Sequence, residues 1–449
     1  VIGALVVGIT KNNILATVDV TSYTSLKDLY EVLLSLKKDA FAVDDRIVII
    51  YNSTNQKKLV DELLTIIDIP EFFVIFETTD NIAGIDFNFS DSFCIYPWIN
   101  LRVSTIGDIS PCCMNNTSIS NLAQTTIQEA YHSDIMKDLR HSFLVGEFPS
   151  SCSSCWKEES IGKPSMRQSA KYKFKEIYYR LDYQKENINN LQLFDLNLGN
   201  ACNLSCKICN KNSSSSIAEQ EYADGIISTV EFQELKQSVN WADTEEFWDQ
   251  LLPLVENIKY LDLYGGEPLM SKMHFNFLKK LIDLDIAKNI KIDYNTNGTI
   301  YSEKFFDLWN YFKEIKLSFS IDDIDDRFES QRVGAKWGQV CENIKKYNSR
   351  RSEKFITEVY PTINIQNVYW LPELSKWIST QSFDHTAFNI LHSPESYNIL
   401  SLKPQDKLAI IEKLKKYPQH EICNSVILML DVAKNIDKSQ AIRYNISHG

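Results

Sequence analysis

Between residues 191 and 392 the chain alternates strand-like and helix-like runs, and this alternation fixes its fold class. Strands are expected near 192–199, 258–264, 290–296, 315–321, 356–365 and 384–391, with helices near 270–285, 303–313, 337–349 and 371–380. Repeated βα units build a parallel sheet with helices packed on it. Six such units predict an open or partial barrel rather than a closed eight-stranded one. The stretch 210–245, with its serine run Ser213 to Ser216, reads as an elaboration, and the tail from 401 carries a helix near Gln405 to Lys416.

Upstream the pattern changes. Residues 1–90 read as a small α/β accessory domain that packs or binds a partner, with no glycine-rich phosphate loop. Its strands are expected within Ala4 to Val20, turning at Lys11-Asn12-Asn13, and at Arg46 to Tyr51 and Phe72 to Phe76. Its helices are expected over Leu26 to Lys38 and Gln56 to Ile67. Residues 91–168 carry five cysteines in loops around a short hairpin, and 169–190 form a charged, aromatic helical connector. The expected organisation is therefore 1–90, 91–168, 169–190, a barrel over 191–400 and a C-terminal helical extension over 401–449.

Charge narrows the partners. Lys plus Arg number 47 against 59 Asp plus Glu, a net charge of −12, so phosphate backbones are repelled and nucleic acid is disfavoured. No apolar run approaches the roughly 18 residues of a membrane span. No basic region followed by an apolar stretch opens the chain, so a cytoplasmic setting away from membranes is expected. The chain begins at Val1 rather than Met, as a processed or partial product would.

Eight of the ten cysteines fall between Cys94 and Cys209. Without a secretory signal, such clustering favours metal or redox chemistry over disulfides. Cys341 and Cys423 stand alone and read as small buried apolar residues. The sharpest segment is Asn200-Ala201-Cys202-Asn203-Leu204-Ser205-Cys206-Lys207-Ile208-Cys209, directly after the first barrel strand. A structural zinc site wants four ligands, and the nearest downstream histidine is His274. An iron–sulfur cubane held by three thiolates leaves one iron open for a chelating ligand.

This Cys-x3-Cys-x2-Cys loop resembles that of the radical S-adenosylmethionine (radical SAM) superfamily. Further motifs follow in order. Gly265-Gly266-Glu267-Pro268 after the second strand is similar to the family's methionine-binding segment, where paired glycines let the backbone approach a ligand and an acceptor meets an ammonium group. Asn295-Thr296-Asn297-Gly298 closes the third strand, and Ser318-Phe319-Ser320-Ile321-Asp322 closes the fourth, ahead of Arg332-Val333-Gly334. The last two resemble the Ser-x-Asp and Arg-x-Gly of the peptide-modifying branch. One departure is Ile208, where the family usually has an aromatic residue before the last cysteine. The resemblance spans about 192–392 and implies an α/β partial (βα)6 barrel. It implies a 4Fe-4S cluster on Cys202, Cys206 and Cys209. It implies SAM held by Gly265, Gly266, Glu267, Pro268, Asn297, Ser320, Asp322 and Arg332, with Ser320 and Arg332 on its ribose or carboxylate. It implies reductive cleavage of SAM to a 5′-deoxyadenosyl radical that takes a hydrogen atom from substrate, with an electron donor such as ferredoxin or flavodoxin.

Cys94, Cys112, Cys113, Cys152 and Cys155 form a second set. A hairpin would join Cys94 to Cys112, and Cys152-Ser153-Ser154-Cys155 would close a four-thiolate site. The pattern looks like the SPASM or twitch segment, which holds an auxiliary iron–sulfur cluster. That segment's Gly-x4-Cys spacing, Gly107 to Cys112 here, points to Cys112 rather than Cys113 as ligand. It usually follows the catalytic barrel, whereas here it precedes it. Four-cysteine zinc is the rival that spacing leaves open.

Arg140 and Arg167 flank this set and read as packing or surface residues, with carboxylate binding or compensation of cluster charge as the alternative. His392 follows the sixth strand, where active sites gather, and reads as a loop histidine. Tyr264 reads as a core aromatic beside the Gly-Gly-Glu-Pro turn. The auxiliary segment and the Ser-x-Asp…Arg pattern imply modification of a peptide or protein side chain. A radical SAM enzyme acting on a small molecule, nucleotide or sugar is the alternative, and a metal-stabilised binding scaffold without catalysis is the alternative outside that class.

Overall fold

Apolar residues recur at every second position of the strands from 193 onward, and polar residues fill the positions between, as a sheet with two different faces requires. The computed structural model describes residues 90–160, 164–178 and 181–435, with four strands between 9 and 78. Two compact units are present, one of Val1–Asp91 with Ser169–Arg180 and one of Ser92–Gln168 with Leu181–Gly449.

In the first unit, β1 (Ile9–Thr10) and β2 (Asn13–Asp19) pair antiparallel, Thr10 opposite Asn13. β2, β3 (Arg46–Tyr51) and β4 (Val74–Thr78) are parallel neighbours, as an α/β unit requires. The helices expected over Leu26 to Lys38 and Gln56 to Ile67 lie outside the described residues. Helices Met166–Lys173 and Lys175–Tyr178 cover the first part of 169–190, and their residues from 169 onward belong to this unit.

In the second unit a hairpin of β5 (Asn100–Val103) and β6 (Asp108–Ser110) turns through Gly107, and β7 (Ser120–Asn121) lies beside it. β8 (Leu193–Asn197) opens the barrel, and the short β9 (Ser205–Cys206) lies in the cysteine loop. Then come β10 (Tyr260–Tyr264), β11 (Lys291–Thr296), β12 (Glu314–Phe319), the short β13 (Arg332–Val333) and β14 (Phe355–Val359). β15 (Thr362–Ile363), β16 (His385–Thr386) and β17 (Asn389–Ile390) complete the set. The large sheet runs β16-β14-β12-β11-β10-β8-β5-β6-β7. The auxiliary hairpin is therefore a continuation of the barrel wall: β5 pairs in parallel with β8, Leu101 opposite Phe194 and Arg102 opposite Asp195.

The outer face buries Phe194, Leu196, Leu261, Leu263, Ile292, Ile315 and Leu317 beneath helices. Tyr294 on that face meets Nε2 of His274, 2.9 Å away, from helix Lys272–Asp283. His274 is fully buried there, and burial pulls its pKa down to about 3, so it is a neutral core residue and no ligand of the cysteine loop. The inner face carries one charged row across five strands: Arg102, Asp195, Asp262, Asp293 and Lys316 stand opposite one another in register. Lys316 reaches Asp293 at 3.1 Å and Glu358 at 3.8 Å.

The stretch 210–245 folds into helices Ser215–Ala223 and Thr229–Ser238. The tail has the expected helix, Pro404–Leu414, and a second, Glu421–Asn435. Among the described residues no helix is long and apolar enough to cross a membrane.

Candidate metal centres

The chain leaves β8 through Gly199 and enters the cysteine loop, which is held from four sides. Ser214 caps helix Ser215–Ala223 and donates to the Leu204 carbonyl at 2.6 Å. The Ser215 hydroxyl bonds the Cys202 backbone N–H and carbonyl, both at 3.2 Å, and Ser216 donates to the same carbonyl at 2.8 Å. Asn297 donates through Nδ2 to Asn203 at 3.0 Å and approaches Cys202 Sγ at 3.9 Å, while Thr299 ties Asn203 and Asn297 together. β13 pairs with β9, Arg332 opposite Cys206 and Val333 opposite Ser205. Finally, the Gly-Gly-Glu-Pro turn lies on the loop's first residues: Gly266 N–H donates to the Gly199 carbonyl at 3.1 Å, and Glu267 N–H to the Ala201 carbonyl at 2.7 Å.

This last contact gives the two glycines their reason. A Cβ on Gly265, at φ +122°, would lie 2.6 Å from Leu198 N, and one on Gly266 would lie 2.3 Å from Ala201 O. The close approach is to the backbone of the cysteine loop. The Glu267 carboxylate is likewise taken up by the protein: it accepts from the Thr296 hydroxyl at 2.9 and 3.1 Å, Asn297 N–H at 2.8 Å and Leu269 N–H at 3.3 Å. Pro268 begins the buried turn that follows.

Burial pushes the Glu267 carboxyl up to about 7, against those hydrogen bonds, which pull it down. Between its ordinary 4.5 and about 7 the folded chain keeps a proton that the unfolded chain has released. Stability therefore falls as pH rises through that window and levels off above it. Glu267→Gln in cluster-free protein should flatten this decline, by up to roughly 3 kcal/mol. Urea midpoints measured from pH 4.5 to 8 check it; parallel profiles for the two proteins would contradict it.

The strand-end residues complete the rim. Asp322 is buried, and its Oδ2 accepts from Arg332 Nε at 2.9 Å and lies 2.8 Å from Nη2. Its Oδ1 accepts from Thr362 N–H at 2.8 Å. Ser320 is half-buried, and among the described residues only its backbone N–H is engaged, by the Thr296 carbonyl. Burial raises the pKa of all three loop thiols, and the Arg332 cation opposes this at Cys206 and Cys209. Among the described residues no three His, Cys, Asp or Glu side chains gather closely enough to ligate a single metal ion. Ile208 is half-buried and Leu204 buried beside the thiols.

In the auxiliary segment Cys94, Cys112 and Cys155 are buried and Cys152 half-buried. Burial raises Cys94 and takes Cys112 to about 12 and Cys152 to about 11; Cys94 feels Cys112, Cys152 and Cys155, and Cys112 feels Cys152 and Cys155. Backbone N–H groups of Met114 and Asn115 favour the Cys112 thiolate, and Asn115 Nδ2 donates to Cys152 Sγ at 3.5 Å. Cys113 turns the other way. It touches solvent, lies 3.4 Å from Met166 Sδ, and its charged neighbours besides Cys112 are Asp195, Arg102 and Asp262 of the inner row. All ten cysteines are free thiols.

Residues 196–373 match the radical SAM superfamily, and residues 94–156 match SPASM, an iron–sulfur cluster-binding domain. The chain carries a radical SAM superfamily domain with a SPASM domain N-terminal to it. Its cofactors are SAM and a 4Fe-4S cluster, and the SPASM domain binds an auxiliary iron–sulfur cluster. That description of the SPASM domain answers the zinc alternative. No curated protein matches the chain significantly. Among solved structures, anSMEcpe with bound AdoMet is 18% identical over 52% of this chain and 62% of that one, TM-score 0.37, so less than two thirds of that relative is spanned. Streptococcus suis SuiB is 14% identical over 74% of this chain and 70% of that one, TM-score 0.36.

The remaining expected residues divide plainly. Arg140 is a buried tie, donating to the Pro97 and Tyr131 carbonyls at 3.0 Å and lying over the Tyr131 ring. Arg167 forks onto Glu159 at 3.0 and 2.7 Å and donates to the Phe93 carbonyl beside Cys94. Tyr264 lies on the inner face with Asp262 instead of in the apolar core, His392 is exposed, Cys341 is half-buried and Cys423 buried. Sequence reasoning missed Ser214, Ser215, Ser216, Asn203 and Thr299. The available signal was the serine run so soon after the cysteines.

Proposed function

We propose that this radical SAM SPASM enzyme modifies a peptide or protein side chain by hydrogen abstraction. The observation that carries the reading is the shared wall: β5 of the SPASM segment continues the barrel sheet beside β8, so the segments that carry the two thiol sets share one sheet. An extended substrate can span two such sites, and the Ser320, Asp322 and Arg332 pattern resembles that of peptide-modifying members.

When bound, the reduced cluster supplies one-electron cleavage of SAM's sulfonium carbon–sulfur bond. Cys202, Cys206 and Cys209 would hold it and leave one iron for the amino and carboxylate groups of SAM. Glu267 holds the ends of β10 and β11 together through Thr296 and Asn297. The Gly265-Gly266 backbone fixes the height of the loop. Arg332 donates through Nε to Asp322 and has Nη2 2.8 Å from the same oxygen, and among the described residues its Nη1 has no hydrogen-bond partner, so it can receive a carboxylate. Ser320 offers a free hydroxyl for the ribose. The charged inner row orients the substrate, and Leu204 and Ile208 keep water from the loop. Cys94, Cys112, Cys152 and Cys155 would hold the auxiliary cluster, and a ferredoxin- or flavodoxin-like protein would supply the electron.

Cys112→Ser should lower iron by about four atoms per chain, whereas Cys113→Ser should leave it unchanged. Iron analysis after anaerobic reconstitution checks this, and loss in Cys113→Ser alone would reverse the assignment. The substrate class is tested by co-expression with a short precursor peptide encoded beside the gene. A mass or stereochemical change in the peptide that disappears with Cys202→Ala is expected. An unmodified peptide, with SAM turnover answering instead to nucleosides or sugars, would overturn the reading.

A further inference from the structure

The segment from Asp322 to Gly334 does more than carry a SAM ligand. Helix Asp325–Gln331 returns the chain from the end of β12 to the cysteine loop, where β13 pairs with β9 and the Lys207 N–H donates to the Gln331 carbonyl at 2.9 Å. Asp323 buttresses that helix, receiving Ile324 N–H, Arg327 Nε and Gln331 Nε2. The result is a strap that brings one buried guanidinium to the middle cysteine of the loop. Arginine has long, flexible torsions, so pairing its backbone with Cys206 does not by itself fix where the guanidinium points.

The Asp322 carboxylate supplies that fixing. One oxygen takes both Nε and Nη2 of Arg332, and the other is anchored on Thr362 N–H just beyond β14. A carboxylate bound to a rigid backbone donor cannot follow the arginine, so the arginine must follow it. Its remaining arm, Nη1, is then directed by the plane of the guanidinium.

We propose that Asp322 is a positioning residue, not a SAM ligand: it fixes the Arg332 guanidinium beside Cys206 and Cys209 so that Nη1 meets the carboxylate of SAM. The inference rests on the SAM site of the proposed function. Both oxygens of Asp322 already have partners, which leaves it little capacity to bind SAM itself. Removing its charge leaves Arg332 with the thiolates as its nearest anions, and the guanidinium swings towards them.

The test uses reconstituted full-length protein with SAM as the probe. Affinity is measured by equilibrium dialysis, and the reduced cluster is followed by electron paramagnetic resonance with and without SAM. Asp322→Asn should weaken SAM binding about tenfold or more and alter the SAM-induced spectral change, with iron content unchanged. Asp322→Glu keeps the charge and moves the carboxylate by one methylene, so it should show a smaller loss of affinity. Wild-type affinity and spectrum in either variant would overturn the proposal. So would loss of iron in Asp322→Asn that Asp322→Glu does not restore, because that is a structural role. No SAM-dependent change in the wild-type protein would overturn the SAM site itself, and this inference with it.

Discussion

Replacing Cys202, Cys206 and Cys209 together by alanine is expected to remove about four of roughly eight irons per chain and to abolish 5′-deoxyadenosine formation. The three thiols lie on one loop, and each raises the pKa of a neighbour in the set, so they act on a common site. The loop's shape does not depend on the thiols, because Ser214, Ser215, Ser216, Asn297 and β13 hold its backbone. The triple variant should therefore fold, and its auxiliary cluster should remain. Replacing Cys94, Cys112, Cys152 and Cys155 instead should take the other half of the iron and spare SAM cleavage. Iron assay and chromatography of SAM products check both. Retained 5′-deoxyadenosine in the triple variant would contradict the assignment of the SAM cluster.

Gly266→Ala should cost about 4 kcal/mol or more and prevent stable loading of the SAM cluster. Its Cβ would meet Ala201 O at 2.3 Å and Ala201 C at 2.6 Å, both backbone atoms that cannot rotate away. Relief requires the turn and the cysteine loop to separate. That would break the Gly266 N–H and Glu267 N–H bonds to Gly199 and Ala201. Exposed Gly338, whose Cβ would meet nothing within 4 Å and whose backbone is not in the left-handed region, is the control. Thermal unfolding of cluster-free protein and iron content after reconstitution report the two effects. A Gly266→Ala protein with wild-type stability and iron would contradict the packing described here.

Much of the barrel was legible because its strands alternate between an apolar face and a polar one, a pattern set by local side-chain direction. Leu193–Asn197, Tyr260–Tyr264, Lys291–Thr296 and Glu314–Phe319 each fall at or within a residue of the expected range. The cysteine loop and the Gly-Gly-Glu-Pro turn were legible because their residues are adjacent in sequence. What stayed hidden depends on register and return paths. A single aspartate inside each of three strands carries no message until β8, β10 and β11 align, and only then does the charged row appear. Helix Asp325–Gln331 lies in an acid-rich stretch between the expected fourth strand and the helix near 337–349, where no element was expected, so the pairing of Arg332 with Cys206 could not be foreseen. Cys112 and Cys113 are neighbours whose side chains leave the turn in different directions, one to the other thiols and one to the inner row.

Two iron–sulfur sites along one barrel wall can be counted. Iron and acid-labile sulfide are measured in anaerobically reconstituted protein, and SAM and dithionite are then added. About eight irons and eight sulfides per chain, with 5′-deoxyadenosine formed, are the predicted result. Iron bound at the Cys202, Cys206 and Cys209 loop without any cleavage of SAM would contradict the account.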